Sequence, residues 1–332
     1  MAEKQNNAQN FPATKTKSSH FHPNRSKGIL LSFISLFLLA ILPIISNSRP
    51  SELNALNYAF YLSLWELICA VPLFIFELSK RNSGIFQKSV DWNIQKKTYL
   101  IMVITGFIFS ISTFLYVFAF ETAGTVTAAI AIQTYPLFSI LWEFVLFRKK
   151  KRVVEIIFTL IMITGIYYLG TEGTWLINGF SPWFAVALIV PFLWGIAHVA
   201  IKNTLDTSPI TPNQVTFFRV LISSLILFGI SSVVNGVATI FNGLLNIEFQ
   251  LFGFLMGIVY YLELVNWFYA VKHVDVSVAS TVTIPTPMVT MVFALFILKE
   301  YIEVYQIVAM LIVFISLYGL LWLGKHKKVF KS

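Results

Sequence analysis

Two segments of the chain align without a gap at a constant offset of 151 residues: residues 106–148, "GFIFSISTFLYVFAFETAGTVTAAIAIQTYPLFSILWEFVLFR", and residues 257–299, "GIVYYLELVNWFYAVKHVDVSVASTVTIPTPMVTMVFALFILK". The alignment pairs small residues and prolines, namely Gly106 with Gly257, Ala119 with Ala270, Ala128 with Ala279 and Pro136 with Pro287. Duplicated apolar segments with Gly and Pro at matching places are typical of secondary transporters. We therefore expect a duplicated membrane domain; chance similarity between two apolar segments is the alternative.

The composition excludes a water-soluble globular protein. Of the 332 residues, 57% are hydrophobic and only 12% are charged, whereas soluble domains contain about 25% charged residues. A membrane-spanning helix needs about 20 apolar residues. The predicted spans are residues 28–46, 55–76, 98–120, 123–147, 153–170, 180–200, 213–234, 249–270, 274–298 and 301–324. These runs are too long, and lack the alternation, for strands of an outer-membrane barrel.

Five spans in each half is an odd number, so the second half is expected to lie upside down relative to the first. The sequence thus predicts an all-α membrane protein with ten transmembrane helices in a 5+5 inverted repeat. The first repeat is predicted over residues 27–172 and the second over residues 173–325. A disordered cytoplasmic tail at 1–26 and a basic cytoplasmic tail at 326–332 are expected to flank them.

The distribution of positive charge predicts the orientation. With the N-terminus inside, 21 of the 24 Lys and Arg residues fall in cytoplasmic segments, Arg49 and Lys299 in external ones, and Arg219 within a span. Because positively charged loops stay on the cytoplasmic side, we expect both termini there, in a multi-pass protein of the bacterial inner membrane. The basic residues are spread over loops and tails, and no helix or strand presents them for contact with bases. The net charge of +9 therefore does not indicate nucleic-acid binding.

Ionisable residues inside the predicted spans are the main functional signal, because charge in hydrocarbon is costly and persists where it faces a cavity or a partner. Glu66 and Glu263 are predicted to face a substrate cavity, with a structural bond to a neighbouring helix as the alternative. Arg219 and Glu143 lie nearer cytoplasmic ends, where snorkelling, an ion pair that closes an inner gate and substrate contact all stay open. His198 is interpreted similarly, and a packed histidine at the membrane boundary is the favoured alternative.

Pro136 and Pro287 lie in the middle of the fourth and ninth spans. Proline removes a backbone hydrogen bond and kinks or loosens a helix, so freed carbonyls can line a polar cavity. Gln133 and Tyr135 precede the first proline and Thr283 precedes the second, which places these side chains at the predicted site. The two prolines are the predicted hinge positions, and structural kinks without ligand contact are the alternative.

Two longer segments of the sequence resemble a known protein family. Residues 116–147, "YVFAFETAGTVTAAIAIQTYPLFSILWEFVLF", and residues 267–300, "WFYAVKHVDVSVASTVTIPTPMVTMVFALFILKE", look like the two EamA domains of the drug/metabolite transporter superfamily. The resemblance implies a carrier with a central cavity that alternates between inside-open and outside-open forms and needs no cofactor. The family's acidic residue after the second domain matches Glu300, whereas Lys149 stands at the first-half position. An Arg early in the second span of each half is common in the family, and Arg219 fits it.

Buried acids and aromatic rings predict the substrate class. Carboxylates attract cations, and aromatic faces add cation–π attraction and stacking, so we expect a small cationic or zwitterionic, amino-acid-like metabolite. The predicted binding residues are Glu66, Trp65, Tyr116, Gln133, Tyr135, Trp194, Tyr261, Glu263, Trp267 and Thr283. The predicted gating residues are Pro136, Pro287, Glu143, His198 and Arg219.

The chain also resembles the superfamily members of obligate intracellular bacteria that exchange S-adenosylmethionine for S-adenosylhomocysteine. The sulfonium, amino group and adenine of these substrates match the predicted acidic and aromatic binding residues. Export of amino acids, purines or cationic drugs is the alternative. Coupling to protons, the direction of transport and the oligomeric state stay open.

Two other classes of protein are alternatives: a channel and a membrane-embedded enzyme. The sequence lacks His-Glu-x-x-His, paired Cys-x-x-Cys and Gly-x-Ser-x-Gly motifs, so no catalytic residue and no metal site are predicted. We expect a protein that is not an enzyme and that uses no cofactor. Saturable countertransport would exclude a channel.

Overall fold

The computed structural model describes residues 24–79, 84–147, 153–274 and 276–329. Within these ranges the chain forms thirteen α-helices and no strand. They are α1 Arg25–Asn47, α2 Ala55–Leu78, α3 Trp92–Ala123, α4 Thr125–Ile132, α5 Tyr135–Phe147, α6 Val153–Gly170, α7 Pro182–Thr207, α8 Pro212–Asn235, α9 Val237–Leu245, α10 Ile247–His273, α11 Val276–Thr283, α12 Thr286–Phe293 and α13 Val304–Val329. A π-helical turn, Ala294–Leu298, continues α12.

The helices coincide with the predicted spans, and the chain is a multi-pass membrane protein. Seven helical segments are long and apolar enough to cross a membrane: α1, α2, α3, α7, α8, α10 and the α4–α5 segment Thr125–Trp142. Three shorter apolar segments, Ile156–Gly170, Thr286–Leu298 and Val304–Leu320, lie at the fifth, ninth and tenth predicted spans. Helix α9 has no counterpart among the predicted spans, because its 9 residues are too few to cross. Residues 1–23 and 330–332 of the predicted tails lie outside the described residues.

The fourth and ninth spans are broken helices. Helix α4 ends at Ile132 and α11 ends at Thr283, which are the residues four positions before Pro136 and Pro287. A proline ring clashes with the carbonyl at that position and offers it no N–H donor, so the helix stops there and restarts after two residues. At each break the backbone passes through a short right-handed turn, with Gln133 at φ −64° and ψ −9° and Pro285 at φ −70° and ψ −1°, and Pro136 and Pro287 lie in the first turns of α5 and α12.

The helices pack in equivalent pairs. If the second half is matched to the first in chain order, α1 corresponds to α7 and α3 to α10. Helix α1 packs against α10, and α7 packs against α3. Likewise α2 packs against α10 and α8 packs against α3. Helices α2 and α8, which correspond to each other, pack together, and so do α6 and α13. Each contact thus has a partner with the halves exchanged, as a pseudo-two-fold axis requires.

The paired glycines mark two of these equivalent contacts. A Cβ atom at Gly106 on α3 would lie 2.7 Å from Cβ of Ile222 on α8. A Cβ at Gly257 on α10 would lie 2.6 Å from Cβ of Trp65 and 2.8 Å from the backbone oxygen of Leu62 on α2. No side chain fits at these distances, so the repeated glycine allows close helix approach in both halves.

Candidate functional site

Two small cavities lie side by side in the centre of the helix bundle. The first is lined by Leu39, Phe109, Tyr135, Trp194, His198, Tyr260, Glu263, Leu264 and Trp267. The second is lined by Leu39, Pro43, Tyr116, Phe120, Ala129, Ile132, Gln133, Tyr135, Trp194, Thr286 and Thr290. Each has a volume of about 30 Å³, which is room for a few water molecules. A metabolite therefore needs the side chains or helices around the cavities to separate.

Three charged side chains are buried beside the first cavity. Glu66 on α2 and Arg219 on α8 are 2% exposed, and Glu263 on α10 is 4% exposed. Glu66 interacts electrostatically with Arg219, and Glu263 with both of the other two. With both acids ionised, the group carries a formal charge of minus one. A charge buried in hydrocarbon is stable only beside an opposite charge or polar groups, so these three residues depend on one another.

Arg219 is held by aromatic faces. Its guanidinium carbon lies 3.9 Å from the centroid of the Phe109 ring and 5.3 Å from that of Tyr260. Nη2 donates to the Tyr260 hydroxyl over 3.3 Å, whereas the buried Nε and Nη1 have no hydrogen-bond partner in the residues that the structure describes. The side chain therefore stays inside the bundle and does not snorkel to a surface. Since Phe109 and Tyr260 also line the first cavity, they connect Arg219 to it.

Glu66 and Glu263 differ in their access to this cavity. Glu263 lines it directly. Glu66 is not among the residues that line either cavity, and its buried Oε1 has no hydrogen-bond partner within the described part of the chain. An acceptor left unpaired in an apolar interior is destabilising by about 1–3 kcal/mol, more when charged. The arrangement can therefore be stabilised by a cation or a hydrogen-bond donor that enters the site.

Aromatic rings form the walls between these charges and the second cavity. Trp194 stacks on Tyr116 with ring centroids 5.6 Å apart, and Tyr116 stacks on Tyr260 at 6.0 Å. The indole nitrogen of Trp194 donates to the Ser112 hydroxyl over 3.2 Å. Trp267 meets the Tyr135 ring edge to face at 6.0 Å. Rings in this arrangement can stack on a planar ligand or hold a cation.

His198 lies within the aromatic wall. Its ring is 5.7 Å from Phe109, 5.9 Å from Tyr135 and 6.0 Å from Trp267, and its buried Nδ1 has no hydrogen-bond partner among the described residues. His198 is thus packed among aromatic rings, and its place at the membrane boundary stays a prediction. Helix α7 continues to Thr207, beyond the predicted end at residue 200.

The two helix breaks are bonded to each other next to the second cavity. The Gln133 amide nitrogen donates to the Thr283 carbonyl over 3.0 Å, and the Tyr135 hydroxyl shares a 2.8 Å hydrogen bond with the Ser280 hydroxyl. The repeat-related breaks therefore meet in the middle of the protein, where backbone groups freed by proline face polar side chains.

The structure brings most of the predicted binding residues together. Those that line a cavity are Tyr116, Gln133, Tyr135, Trp194, Glu263 and Trp267. Thr283 is bonded to Gln133 at the break, and Glu66 interacts with the charged group.

Trp65 and Tyr261 are the exceptions. The indole nitrogen of Trp65 donates to Gln250 over 2.9 Å, and its ring packs against Phe254. Tyr261 interacts with Cys69 on α2. Neither residue is in the lining of the two cavities.

Two lining residues that were not predicted, Tyr260 and Leu264, share a helical spacing with the predicted Glu263 and Trp267. Tyr260, Glu263, Leu264 and Trp267 are spaced by three, four and seven residues, which places them on one face of α10. Tyr261 is rotated by about 200° from Glu263 on the same helix. The helical spacing around Glu263 therefore selects Tyr260 rather than Tyr261. No comparable signal marks Phe109, whose importance comes from Arg219 on another helix.

Two other predicted residues lie elsewhere. The side chain of Glu143 and the whole of Lys149 lie outside the described residues. Glu300, the acid implied by the family resemblance, accepts a hydrogen bond from the Thr125 hydroxyl, which also accepts from Asn47 at the C-terminus of α1 over 2.7 Å. Glu300 thus binds at one end of the bundle rather than at the cavities.

Comparisons with known proteins agree with this architecture. The EamA-like transporter family matches residues 26–171 and residues 181–322, so the two predicted EamA domains are confirmed. A solved structure described only as "Crystal structure of protein" superimposes with a TM-score of 0.62 over 90% of this chain and 99% of that chain, at 14% sequence identity. That likeness shows a shared fold. No curated protein matches the chain.

Proposed function

Because the chain belongs to the EamA-like transporter family, we propose that it is a secondary transporter that moves a small organic metabolite with a cationic group. The observation that carries the substrate class is the buried charged group: two acids, Glu66 and Glu263, and one guanidinium, Arg219, are buried together and interact electrostatically. A ligand with one positive charge offsets the remaining negative charge. Aromatic faces around Glu263 add cation–π attraction, which strengthens as water is excluded.

The transport cycle is alternating access between two inverted halves. The paired helix contacts and the paired breaks support ten transmembrane helices in a 5+5 inverted repeat with a pseudo-two-fold axis through the cavities. Inverted repeats with broken helices at the midplane are the usual construction of such carriers. In this account Pro136 and Pro287 permit the helix movement, and both termini are cytoplasmic in a bacterial inner membrane. Reporter fusions at each terminus test the orientation, which an external terminus would refute.

Amino-acid-like zwitterions are the preferred substrates, and exchange of S-adenosylmethionine for S-adenosylhomocysteine is a specific candidate. Both cargoes carry a cationic amino group, and both carry a ring that could stack on the aromatic walls. Proteoliposomes loaded with unlabelled countersubstrate should take up labelled cationic or zwitterionic metabolites saturably. Repeating the assay with and without an imposed proton gradient separates exchange from proton coupling. Uptake restricted to neutral or anionic solutes would refute the proposal, and non-saturable flux would indicate a channel.

A further inference from the structure

The two cavities share three of their walls. Leu39, Tyr135 and Trp194 line both, so these side chains belong to the wall between them. Tyr135 is held in its present place by the hydrogen bond to Ser280, and Trp194 by its bond to Ser112. Rotation of either ring away from its hydroxyl partner would change the wall that the two cavities share.

The two cavities differ in charge. The first has Glu263 in its lining and Arg219 behind Phe109 and Tyr260. None of the described residues that line the second cavity is charged. A charged group is therefore stable in the first cavity, whereas the second favours an uncharged one.

The second cavity is rich in hydrogen-bond acceptors. Three of its polar side chains already donate: one N–H of the Gln133 amide donates to the Thr283 carbonyl, the Thr286 hydroxyl also donates to Thr283, and the Thr290 hydroxyl donates to the Ala40 carbonyl. A hydroxyl that donates keeps its lone pairs, and the amide keeps its oxygen. Ile132 lines the same cavity, and its carbonyl receives no helical donor from Pro136.

Aromatic faces accompany these acceptors. Tyr116, Phe120, Tyr135 and Trp194 all line the second cavity. Flat rings stack on such faces, and a ring N–H would satisfy an acceptor that is otherwise unpaired. The two features select the same kind of chemical group.

We propose that the two cavities are halves of one binding site, and that the second half binds an uncharged planar ring through an N–H donor of that ring or of an amino group on it, with the Gln133 side-chain oxygen as an acceptor. This inference rests on the proposed function, because it takes the cationic end of the substrate to lie at Glu263. It makes Gln133 a specificity-determining residue. The transported metabolite then has a cationic group at one end and a nitrogen-bearing ring at the other.

A series of amines tests the inference on the full-length protein in lipid nanodiscs. Ethylamine carries only the cation, tryptamine adds a ring with an N–H, and 1-methyltryptamine has the ring without the N–H. Calorimetry should show tryptamine binding more tightly than ethylamine. Methylation of the ring nitrogen should weaken binding by about threefold to tenfold, the effect of one hydrogen bond.

The Gln133→Leu variant gives the matching measurement on the protein. It should lower the affinity for tryptamine to that of 1-methyltryptamine and leave ethylamine unchanged. Gln95→Leu is the control, because Gln95 donates to the Ile85 carbonyl in the loop before α3, away from both cavities. It should leave all three affinities unchanged.

The outcomes separate the inference from the proposed function. If all three amines bind equally, or if ring methylation has no effect on the wild-type protein, the second subsite is refuted while the cation site stands. If tryptamine discriminates but Gln133→Leu retains the discrimination, the assignment to Gln133 is wrong. If no amine binds, the proposed cation site fails, and with it the inference that depends on it.

Discussion

Removal of the Arg219 charge should destabilise the protein through the two acids that it leaves behind. Arg219→Met keeps a long apolar side chain between Phe109 and Tyr260 but raises the formal charge of the group from minus one to minus two. Arg219 interacts with the acids electrostatically but makes no ion-pair contact with either in the described residues, so the cost should not exceed the roughly 3–5 kcal/mol of removing one partner from a formed buried pair. At about 2–4 °C for each kcal/mol in larger domains, the melting temperature in nanodiscs should fall by up to about 6–20 °C.

Glu66→Gln is the second substitution, and together with Arg219→Met it forms a double-mutant cycle. Added to Arg219→Met it returns the formal charge to minus one, so it should recover at least half of the lost melting temperature. The matched control is Arg49→Met, because Arg49 is also buried but pairs with Glu121, whose side chain is 48% exposed. Its smaller loss should not be recovered by Glu66→Gln. Simple addition of the Arg219→Met and Glu66→Gln effects would refute the reasoning that these residues form one charged group.

Three further changes test the site and the packing. Glu66→Gln and Glu263→Gln should each leave membrane insertion intact and raise the Km of a cationic substrate in proteoliposomes. Where the acid bonds the ligand directly, the rise should be about 10- to 150-fold, because hydrogen bonds to charged groups contribute about 1.5–3 kcal/mol. Normal Km values in both variants would indicate a structural role. Pro136→Ala and Pro287→Ala restore a donor to the Ile132 and Thr283 carbonyls, and should preserve equilibrium binding while slowing exchange; full exchange rates would mean that the breaks are fixed architecture. Gly257→Leu should lower the melting temperature by several degrees because Trp65 and Leu62 occupy the added volume, at a typical overpacking cost of about 1–3 kcal/mol. Gly229→Leu is its control, since a Cβ there meets no atom within 4 Å, and equal losses in the two variants would contradict the packing argument.

The fold could be predicted because its determinants act locally along the chain. Apolar runs define the helices, and a proline acts on the carbonyl four residues earlier, so Pro136 and Pro287 give the positions of the two breaks. The repeated Gly106 and Gly257 likewise indicate where helices approach closely. At both predicted kinks the regular α-helix ends at the blocked carbonyl and resumes after a two-residue turn.

The site could be predicted only in part, because it depends on which helix faces meet. Glu263 and Trp267 were found from residue type and position within a span. Trp65 was included through its adjacency to Glu66, yet neighbours in a helix are rotated by about 100°, and Trp65 faces Gln250 instead.

Arg219 shows a second limit of the sequence. It lies about two turns after the start of α8 at Pro212, a position that suggests a route to the surface. Phe109 on α3 and Tyr260 on α10 enclose it. A contact made by three helices from both halves of the chain leaves no pattern in any one of them.

The central claim is that the buried acids select a positive charge, and one ratio of binding constants tests it most directly. Tryptamine and tryptophol share the indole ring and differ in carrying an ammonium or a neutral hydroxyl group. Calorimetry on the wild-type protein in nanodiscs at neutral pH should show tryptamine binding at least about tenfold more tightly, and the Glu66→Gln, Glu263→Gln double variant should lose that preference. Equal binding of the two compounds by the wild-type protein, or a preference that survives in the double variant, would contradict the account.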